Sequence, residues 1–137
     1  MNIELIENPV QELITFLDDK IAEYNWQHWE VSERKPLAIK MTDEQGNITA
    51  GAAGRSFGDW FMLNTLWVDE KHRGNKIGDE ILTRIETAAK KRGCNKCLLD
   101  TLNFQAMPFY QSRGYQTQWI QEGYPKTGCK YYMVKHL

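Results

Sequence analysis

The sequence predicts an α/β domain in which helices flank a mixed sheet. Segments with apolar residues at helical spacing alternate with short apolar runs that are typical of strands. A strand, a helix and another strand follow one another between Trp60 and Asp100, which predicts a βαβ unit with a parallel pair. Two more strands close the chain, so the predicted order of elements is β α β β β α β α β β.

The first half of the chain is predicted to hold a strand at its start, then a helix and three further strands. Asn8-Pro9 can start the helix, because Asn caps well and Pro suits the first helical position. Apolar residues at helical spacing predict that one face of this helix is buried; they are Val10, Leu13, Ile14, Leu17, Ile21 and Tyr24. The strands are predicted over 37–41, 48–55 and 60–68, the last of them apolar almost throughout and therefore central.

The second half begins with a helix from Ile77 to about Lys91, for which Gly93 is a suitable C-cap. The remaining predicted elements are, in order, a strand over 96–100, a short helix over 106–113 ended by Gly114, and two strands over 115–120 and 130–134.

Composition indicates one ordinary globular domain. The chain has 137 residues, 42% of them hydrophobic and 26% charged, which suits a single core. The net charge of -1 gives no global field that would recruit nucleic acid or an anionic membrane. No apolar run is long enough to span a bilayer, and the first residues lack the character of a signal peptide, so we expect a cytoplasmic protein.

The cysteines favour neither a disulfide framework nor a metal site. There are three, an odd number, and the Cys94-x-x-Cys97 pair leads into a strand rather than opening a helix. Cys129 and the three histidines are scattered without the paired spacing of zinc ligands. We therefore expect no metal, and we expect buried or half-buried thiols at the start of a strand.

A phosphate-binding turn is predicted in the segment Leu66–Leu82, where an apolar run passes through a basic, glycine-bearing turn into an amphipathic helix. Unpaired N–H groups and the helix dipole converge on such a turn. The two glycines of the turn enclose three residues, which excludes a P-loop, and no G-x-G-x-x-G run follows a first strand. The spacing fits R-x-x-G-x-G/A over 73–78, except that Lys76 stands where glycine is usual.

This turn resembles the acetyl-CoA-binding motif of the GCN5-related N-acetyltransferases, the GNAT superfamily. The segment Leu102–Tyr115 resembles the second cofactor motif of that family, N-x-x-A-x-x-F-Y-x-x-x-G-F/Y. Both motifs occur in family order, and the Leu66-Trp67-Val68-Asp69-Glu70 run before the turn is similar to that of small bacterial members. The resemblance implies one GNAT domain over 1–137, with a mixed, mostly antiparallel sheet, a splayed parallel pair and flanking helices.

The resemblance also implies acetyl-CoA as co-substrate. The pyrophosphate would lie on the N–H groups of 75–79, and the pantetheine arm would pair with the backbones of Leu66 and Val68 beside a bulge near Asn64-Thr65. The implied binding residues are Leu66, Trp67, Val68, Arg73, Gly74, Asn75, Lys76, Ile77, Gly78, Asp79, Asn103, Tyr110 and Arg113.

Two of these residues would act in catalysis. The N–H near Leu66 would bond the thioester oxygen, and Tyr110 matches the family tyrosine that donates a proton to the CoA sulfur. Alternatively, Tyr110 only packs a helix on the sheet, and Asn103 only caps that helix. The general base stays open among Asp59, Glu30, Glu33 and a chain of water molecules.

Lys76 is the departure from the family pattern. Glycine is favoured where the backbone takes a positive φ, so a lysine predicts an ordinary right-handed conformation. Its ammonium would either bind the pyrophosphate or be solvated.

The implied acceptor is an amine of a small molecule or a peptide. The family's acceptor pocket offers aromatic side chains here, which either hold a planar or cationic acceptor or fill the core; they are Trp26, His28, Trp29, Tyr124 and Tyr131. The expected activity is N-acetyl transfer by direct attack, and a homodimer is possible. The alternative is a non-catalytic CoA-binding or regulatory module on the same fold; partnership with nucleic acid or a membrane is not expected.

Overall fold

The computed structural model describes residues 1–137, which form an N-terminal unit, Met1–Glu33, and a second unit, Arg34–Leu137. The N-terminal unit holds one helix, α1, over Gln11–Trp26. Its first ten residues form no strand, so the strand predicted at the start of the chain is wrong. Val10, not Asn8, is the N-cap residue of α1; Asn8 has a positive φ of 54°.

The predicted buried face of α1 is also wrong. No residue of the helix is buried, and Val10, Ile21 and Tyr24 keep 64%, 62% and 63% of their surface exposed. The spacing does place these side chains in one stripe. The N-terminal unit, however, holds no second helix or strand against which the stripe could pack.

The second unit is a six-stranded sheet with the order β1-β2-β3-β4-β6-β5. All neighbours are antiparallel except β3 and β4, which are parallel. The strands are β1 Lys35–Thr42, β2 Ile48–Phe57, β3 Trp60–Val68, β4 Lys96–Leu102, β5 Gln116–Glu122 and β6 Cys129–His136. The helices are α2, Ile77–Lys91, and α3, Met107–Gln111, and a 3-10 turn covers Glu70–His72.

The core of this unit lies between α2, α3 and one face of the sheet. The amphipathic spacing of α2 buries Ile81, Leu82 and Ile85, and Gly93 ends the helix at a φ of 99° as predicted. The other face of the sheet carries exposed aromatic side chains, among them Trp60, Trp67 and Trp119. No helix of the structure is long and apolar enough to cross a bilayer.

A bulge in β3 and the parting of β3 from β4 create the site. Ala53 pairs with Thr65 while Gly54 pairs with Leu63, so Asn64 is an extra residue in β3, as predicted. β3 pairs with β4 only over Trp60–Met62, whereas β4 stays paired with β6 as far as Leu102. A gap therefore opens between the carboxyl-terminal halves of the two parallel strands.

The cysteine pair is buried, as predicted. Cys94 and Cys97 are about 2% and 1% exposed, and burial raises the pKa of the Cys97 thiol to about 11. Cys129 is only half-buried. We therefore expect a disulfide reagent at pH 8 to modify Cys129 first, and the other two thiols only when the protein unfolds. Counting released chromophore against time tests this; fast modification of all three would contradict it, and Cys129→Ser should remove the fast phase.

Candidate functional site

The turn before α2 presents free backbone donors. The N–H groups of Ile77, Gly78 and Asp79 donate to no protein acceptor, and no side chain caps the helix. The first helical bond runs from the N–H of Glu80 to the carbonyl oxygen of Lys76, at 3.1 Å. Gly74 has a φ of 87° and open space around its α-carbon. The positive end of the α2 dipole and these donors form an anion site.

Lys76 does not have the right-handed conformation that its identity predicts. Its φ and ψ are 60° and 21°, in the left-handed region. The turn requires this conformation at the position where the family pattern has glycine, and lysine adopts it at a cost of about 1–2 kcal/mol. The side chain is exposed and its ammonium has no protein partner, so it is free to face a bound anion.

Replacing Lys76 with glycine is expected to raise the free energy of unfolding by about 0.5–1 kcal/mol, because glycine takes a positive φ without strain. Urea denaturation measures the change. Lys76→Ala is the matched control, since it removes the same charge but keeps the strained φ, and it should not stabilise the protein. A glycine variant less stable than the alanine variant would refute the assignment of strain.

Two arginines hold the turn in place. Nε of Arg73 donates to the carbonyl oxygen of Val68 at 3.1 Å, which ties the turn to the end of β3. Nε of Arg113 donates to Oδ1 of Asp79 at 2.6 Å, and its guanidinium lies 3.9 Å from the centre of the Phe109 ring. The Asp79 carboxylate at the α2 N-terminus is thus neutralised from the segment after α3.

A cavity of about 730 Å³ unites the two sequence motifs. It is lined by residues 66–68 of β3, residues 72–79 of the turn apart from Asn75, and residues 104–113 in part. Every binding residue implied by the resemblance lines this cavity except Asn75 and Asn103. His72, Phe104, Gln105, Ala106 and Phe109 also line it, and neither motif had singled them out for binding.

A smaller cavity of about 170 Å³ occupies the gap between β3 and β4. Leu66, Gln105, Ala106 and Tyr110 line both cavities, so the residues assigned to catalysis lie where the two spaces meet. The only titratable side chains lining the smaller cavity are those of Tyr110 and Asp100. Asp100 was missed from the sequence, although it ends an apolar run at the carboxyl end of a parallel strand, where ligands commonly bind.

Tyr110 serves packing and leaves its hydroxyl free. The residue is 8% exposed, and its ring contacts those of Phe109 and Tyr115 with centroid distances of 5.2 and 5.6 Å. The hydroxyl has no protein partner. Burial, and to a lesser extent the neighbouring Cys97 thiol, raises the pKa of Tyr110 to about 12, so the phenol stays protonated well above neutral pH.

Asn103 ties two strands together. Its Oδ1 accepts the N–H of Cys129 at 3.1 Å, and its own N–H donates to the carbonyl oxygen of Cys129 at 3.0 Å. Gly128 leaves room for this contact, because a β-carbon there would lie 2.6 Å from that Oδ1. Asn103 lines neither cavity, and its Nδ2 has no partner.

Of the candidate bases, only Asp59 belongs to the unit that holds the gap, and it lies away from it. Asp59 precedes β3 and lies seven positions, roughly 20 Å, before Leu66, too far to accept a proton there. Glu30 and Glu33 belong to the N-terminal unit, as do Trp26, His28 and Trp29.

The two tyrosines considered for the acceptor differ in their surroundings. Tyr131 packs against the core, as the alternative interpretation held. Tyr124 lies in the β5–β6 loop, with Nζ of Lys130 4.2 Å from its ring centre.

The structure contains no group of three or more His, Cys, Asp or Glu side chains that could hold a metal ion.

A mixed sheet with one splayed parallel pair, and an anion-binding turn beside the splay, define a GNAT-type acyltransferase fold. The family model described as the Acetyltransferase (GNAT) family matches residues 3–115. The chain belongs to this family.

The chain is similar to several acetyltransferases, some of which are named for the acceptor that they acetylate and some of which are not. Blasticidin-S acetyltransferase of Streptomyces morookaense is 32% identical over 111 residues, which cover 78% of this chain and 82% of that protein. An acetyltransferase from Bacillus cereus ATCC 14579 has a solved structure with a TM-score of 0.89 and 29% identity, covering 98% of both chains. PaiA N-acetyltransferase from Thermoplasma acidophilum, solved in complex with coenzyme A, shares the fold with a TM-score of 0.64 and 17% identity, covering 88% of this chain and 69% of that chain.

Proposed function

We propose that this chain is an N-acetyltransferase that moves the acetyl group of acetyl-CoA to a primary amine of a small molecule or a peptide by direct attack. The observation that carries the proposal is the junction of the two cavities at Leu66 and Tyr110. One cavity begins at the free N–H groups of α2, and the other lies in the strand gap. Coenzyme A bound to a protein of the same fold, and an antibiotic acetyltransferase among the relatives, support it.

The larger cavity suits the donor. Its free N–H groups and the Lys76 ammonium would hold the pyrophosphate, and Arg113 would stay paired with Asp79. Beyond Met62 the β4-facing edge of β3 has no strand partner, so the backbones of Leu66 and Val68 are available to the amide-rich arm. The whole chain would act as one GNAT domain, in the cytoplasm, with a homodimer as the proposed assembly.

The reaction needs little more from the protein than alignment and two hydrogen bonds. As the amine nitrogen attacks the thioester carbonyl carbon, the Leu66 N–H would donate to the oxygen that gains charge. When the C–S bond breaks, the Tyr110 hydroxyl would donate its proton to the departing sulfur. The nitrogen loses one proton and Tyr110 regains one from solvent, so a neutral amine and the thioester give one amide and one thiol; an acceptor that starts as an ammonium ion releases one further proton.

The non-catalytic alternative was favoured by the presence of Lys76 in place of glycine, and the conformation of Lys76 no longer supports it. Lys76 in place of glycine implied an altered turn, but Lys76 keeps the left-handed conformation that glycine would supply. Titration calorimetry tests the donor site directly: we expect micromolar affinity for acetyl-CoA and weaker affinity for dephospho-CoA. Absence of binding would overturn the proposed function. Binding without thiol release, across a panel of amines, would instead favour the non-catalytic module.

The pH profile of kcat/KM is expected to rise from pH 7 to about 9.5, as the acceptor amine loses its proton, with no fall below about pH 10.5. No fall is expected because burial raises the pKa of Tyr110 to about 12, so the phenol keeps the proton that it donates at alkaline pH. Thiol release measured in overlapping buffers tests this. A descending limb centred below pH 9.5, absent from Tyr110→Phe, would contradict the environment assigned to Tyr110.

A further inference from the structure

Asp100 has a carboxylate that the rest of the fold does not use. It lines the gap between β3 and β4, where it is the only carboxylate. It forms no ion pair and no hydrogen bond with the protein, and it is exposed. Its charge interacts with that of Lys130 without a direct ion pair, so the carboxylate remains available to a charged ligand.

Asp100 and Tyr110 approach the gap from opposite faces of the sheet. Along β4 the side chains of Cys97, Leu99 and Thr101 are buried on the core face, and Asp100 alternates with them onto the other face. Tyr110 comes from α3 on the core face, where it belongs to the buried cluster. A thioester in the gap would therefore have its sulfur near Tyr110, and Asp100 would face an acceptor arriving from the other side.

The open face beside Asp100 carries aromatic rings. Asp100 pairs across the sheet with Tyr132 of β6, whose ring lies 5.3 Å from that of Trp119 at an interplanar angle of 32°. Trp119 is 58% exposed. Lys130 carries the nearby positive charge, with its Nζ 6.0 Å from the Tyr132 ring centre. Although burial lowers it, the pKa of Lys130 is raised by the Tyr124 hydroxyl and, to a lesser extent, by Tyr132 and Asp100.

We propose that Asp100 binds the ammonium group of the acceptor and takes up the proton that its nitrogen loses, while the Trp119–Tyr132 pair holds a planar part of the same molecule. The inference rests on the proposed function and names its acceptor class, an amine with one positive charge and an aromatic or planar group. The ammonium first loses one proton through Asp100 to water, which leaves the neutral amine. In the transfer step the N–C bond forms, the C–S bond breaks, the nitrogen's second proton passes to Asp100 and then to water, and Tyr110 protonates the sulfur and regains a proton from water, so one proton is released in all. The fixed charge of Lys130 disfavours polyamines, whose further charges it repels.

The experiment compares Asp100→Asn with Asp59→Asn, a matched loss of one exposed carboxylate at the far end of β3. Tryptamine, spermidine and hydroxylamine serve as acceptors in a thiol-release assay with acetyl-CoA at saturation. We expect wild type to prefer tryptamine to spermidine, and Asp100→Asn to lower kcat/KM for tryptamine about 100-fold or more. For hydroxylamine, which is mostly uncharged at neutral pH, Asp100→Asn should lower kcat/KM less than about tenfold. Asp59→Asn should change kcat/KM for neither acceptor.

Binding gives a second readout. Tryptamine titrated into protein saturated with CoA should bind to wild type and to Asp59→Asn, but at least about tenfold more weakly to Asp100→Asn and to Trp119→Ala. Acetyl-CoA affinity should stay within about twofold of wild type in all variants, which separates this inference from the proposed function.

The outcomes are distinguishable. Failure of wild type to bind acetyl-CoA would refute the proposed function and the inference with it. The inference alone would be overturned if the protein bound acetyl-CoA but gave any one of three results. These are a preference for spermidine, no transfer to tryptamine, and equal rates for Asp100→Asn and Asp59→Asn. Equal losses for tryptamine and hydroxylamine in Asp100→Asn would also overturn it, because they would indicate a structural role.

Discussion

Replacing Tyr110 with phenylalanine is expected to lower kcat by about 10²–10⁴-fold, with the affinity for acetyl-CoA nearly unchanged. The ring keeps its contacts with Phe109 and Tyr115, so the fold should tolerate the loss of one hydroxyl that has no protein partner. Only the proton donation to the leaving sulfur is removed. Steady-state thiol release and titration calorimetry measure the two quantities.

Tyr115→Phe is the matched control, five residues along the chain. Its hydroxyl donates to Oε2 of Glu86 at 2.7 Å, away from both cavities, so we expect a loss of about 1–2 kcal/mol in stability and an unchanged kcat. If Tyr110→Phe kept the wild-type kcat, the assignment of Tyr110 as general acid would be wrong, and packing would be its whole role.

Replacing Gly54 with alanine is expected to lower the free energy of unfolding by about 3 kcal/mol, a large fraction of the stability of a small domain. A β-carbon there would overlap the carbonyl oxygen of Met62 and lie 2.7 Å from Cζ of Phe61. The oxygen belongs to the neighbouring strand, two residues before the bulge at Asn64, and it cannot move without breaking the β2–β3 pairing. The same displacement should weaken acetyl-CoA binding, since Leu66 follows the bulge.

Urea denaturation and calorimetry on the same preparations check both effects. Gly46→Ala is the control, because Gly46 has a positive φ of 86° but nothing within 4 Å of an added β-carbon, so only local strain of about 1 kcal/mol is expected. A Gly54→Ala protein within 1 kcal/mol of wild type would show that the bulge can relax, and that its geometry is not what holds the gap open.

Local patterns were sufficient for much of the fold. α2 begins at Ile77 and ends at Lys91 as predicted, because an apolar stripe and a following glycine specify a helix through neighbours along the chain. β3 followed from an apolar run; the bulge was implied by the family resemblance, and the polar interruption at Asn64-Thr65 was consistent with it. The two motifs supplied eleven of the sixteen residues that line the larger cavity, since each motif is contiguous and its backbone shape is set locally.

Residues whose role depends on distant partners were harder to assign. The stripe on α1 predicted burial, but burial requires a partner element, and periodicity does not supply one. Tyr131 was considered for the acceptor, yet Tyr132 lies on the open face beside Asp100; a shift of one residue in a strand exchanges the two faces. Asn103 was considered as a cap of α3, but its Oδ1 bonds the start of β6.

The sequence by itself determined the class of fold, the anion-binding turn and the position of Tyr110, because these depend on residues close together in the chain. Only the tertiary structure decided the conformation of Lys76, the separation of Asp59 from the gap and the presence of Asp100 inside it. The parting of two parallel strands brings residues some 35 positions apart around one cavity. That distance is set by strand register and packing, which no local pattern encodes.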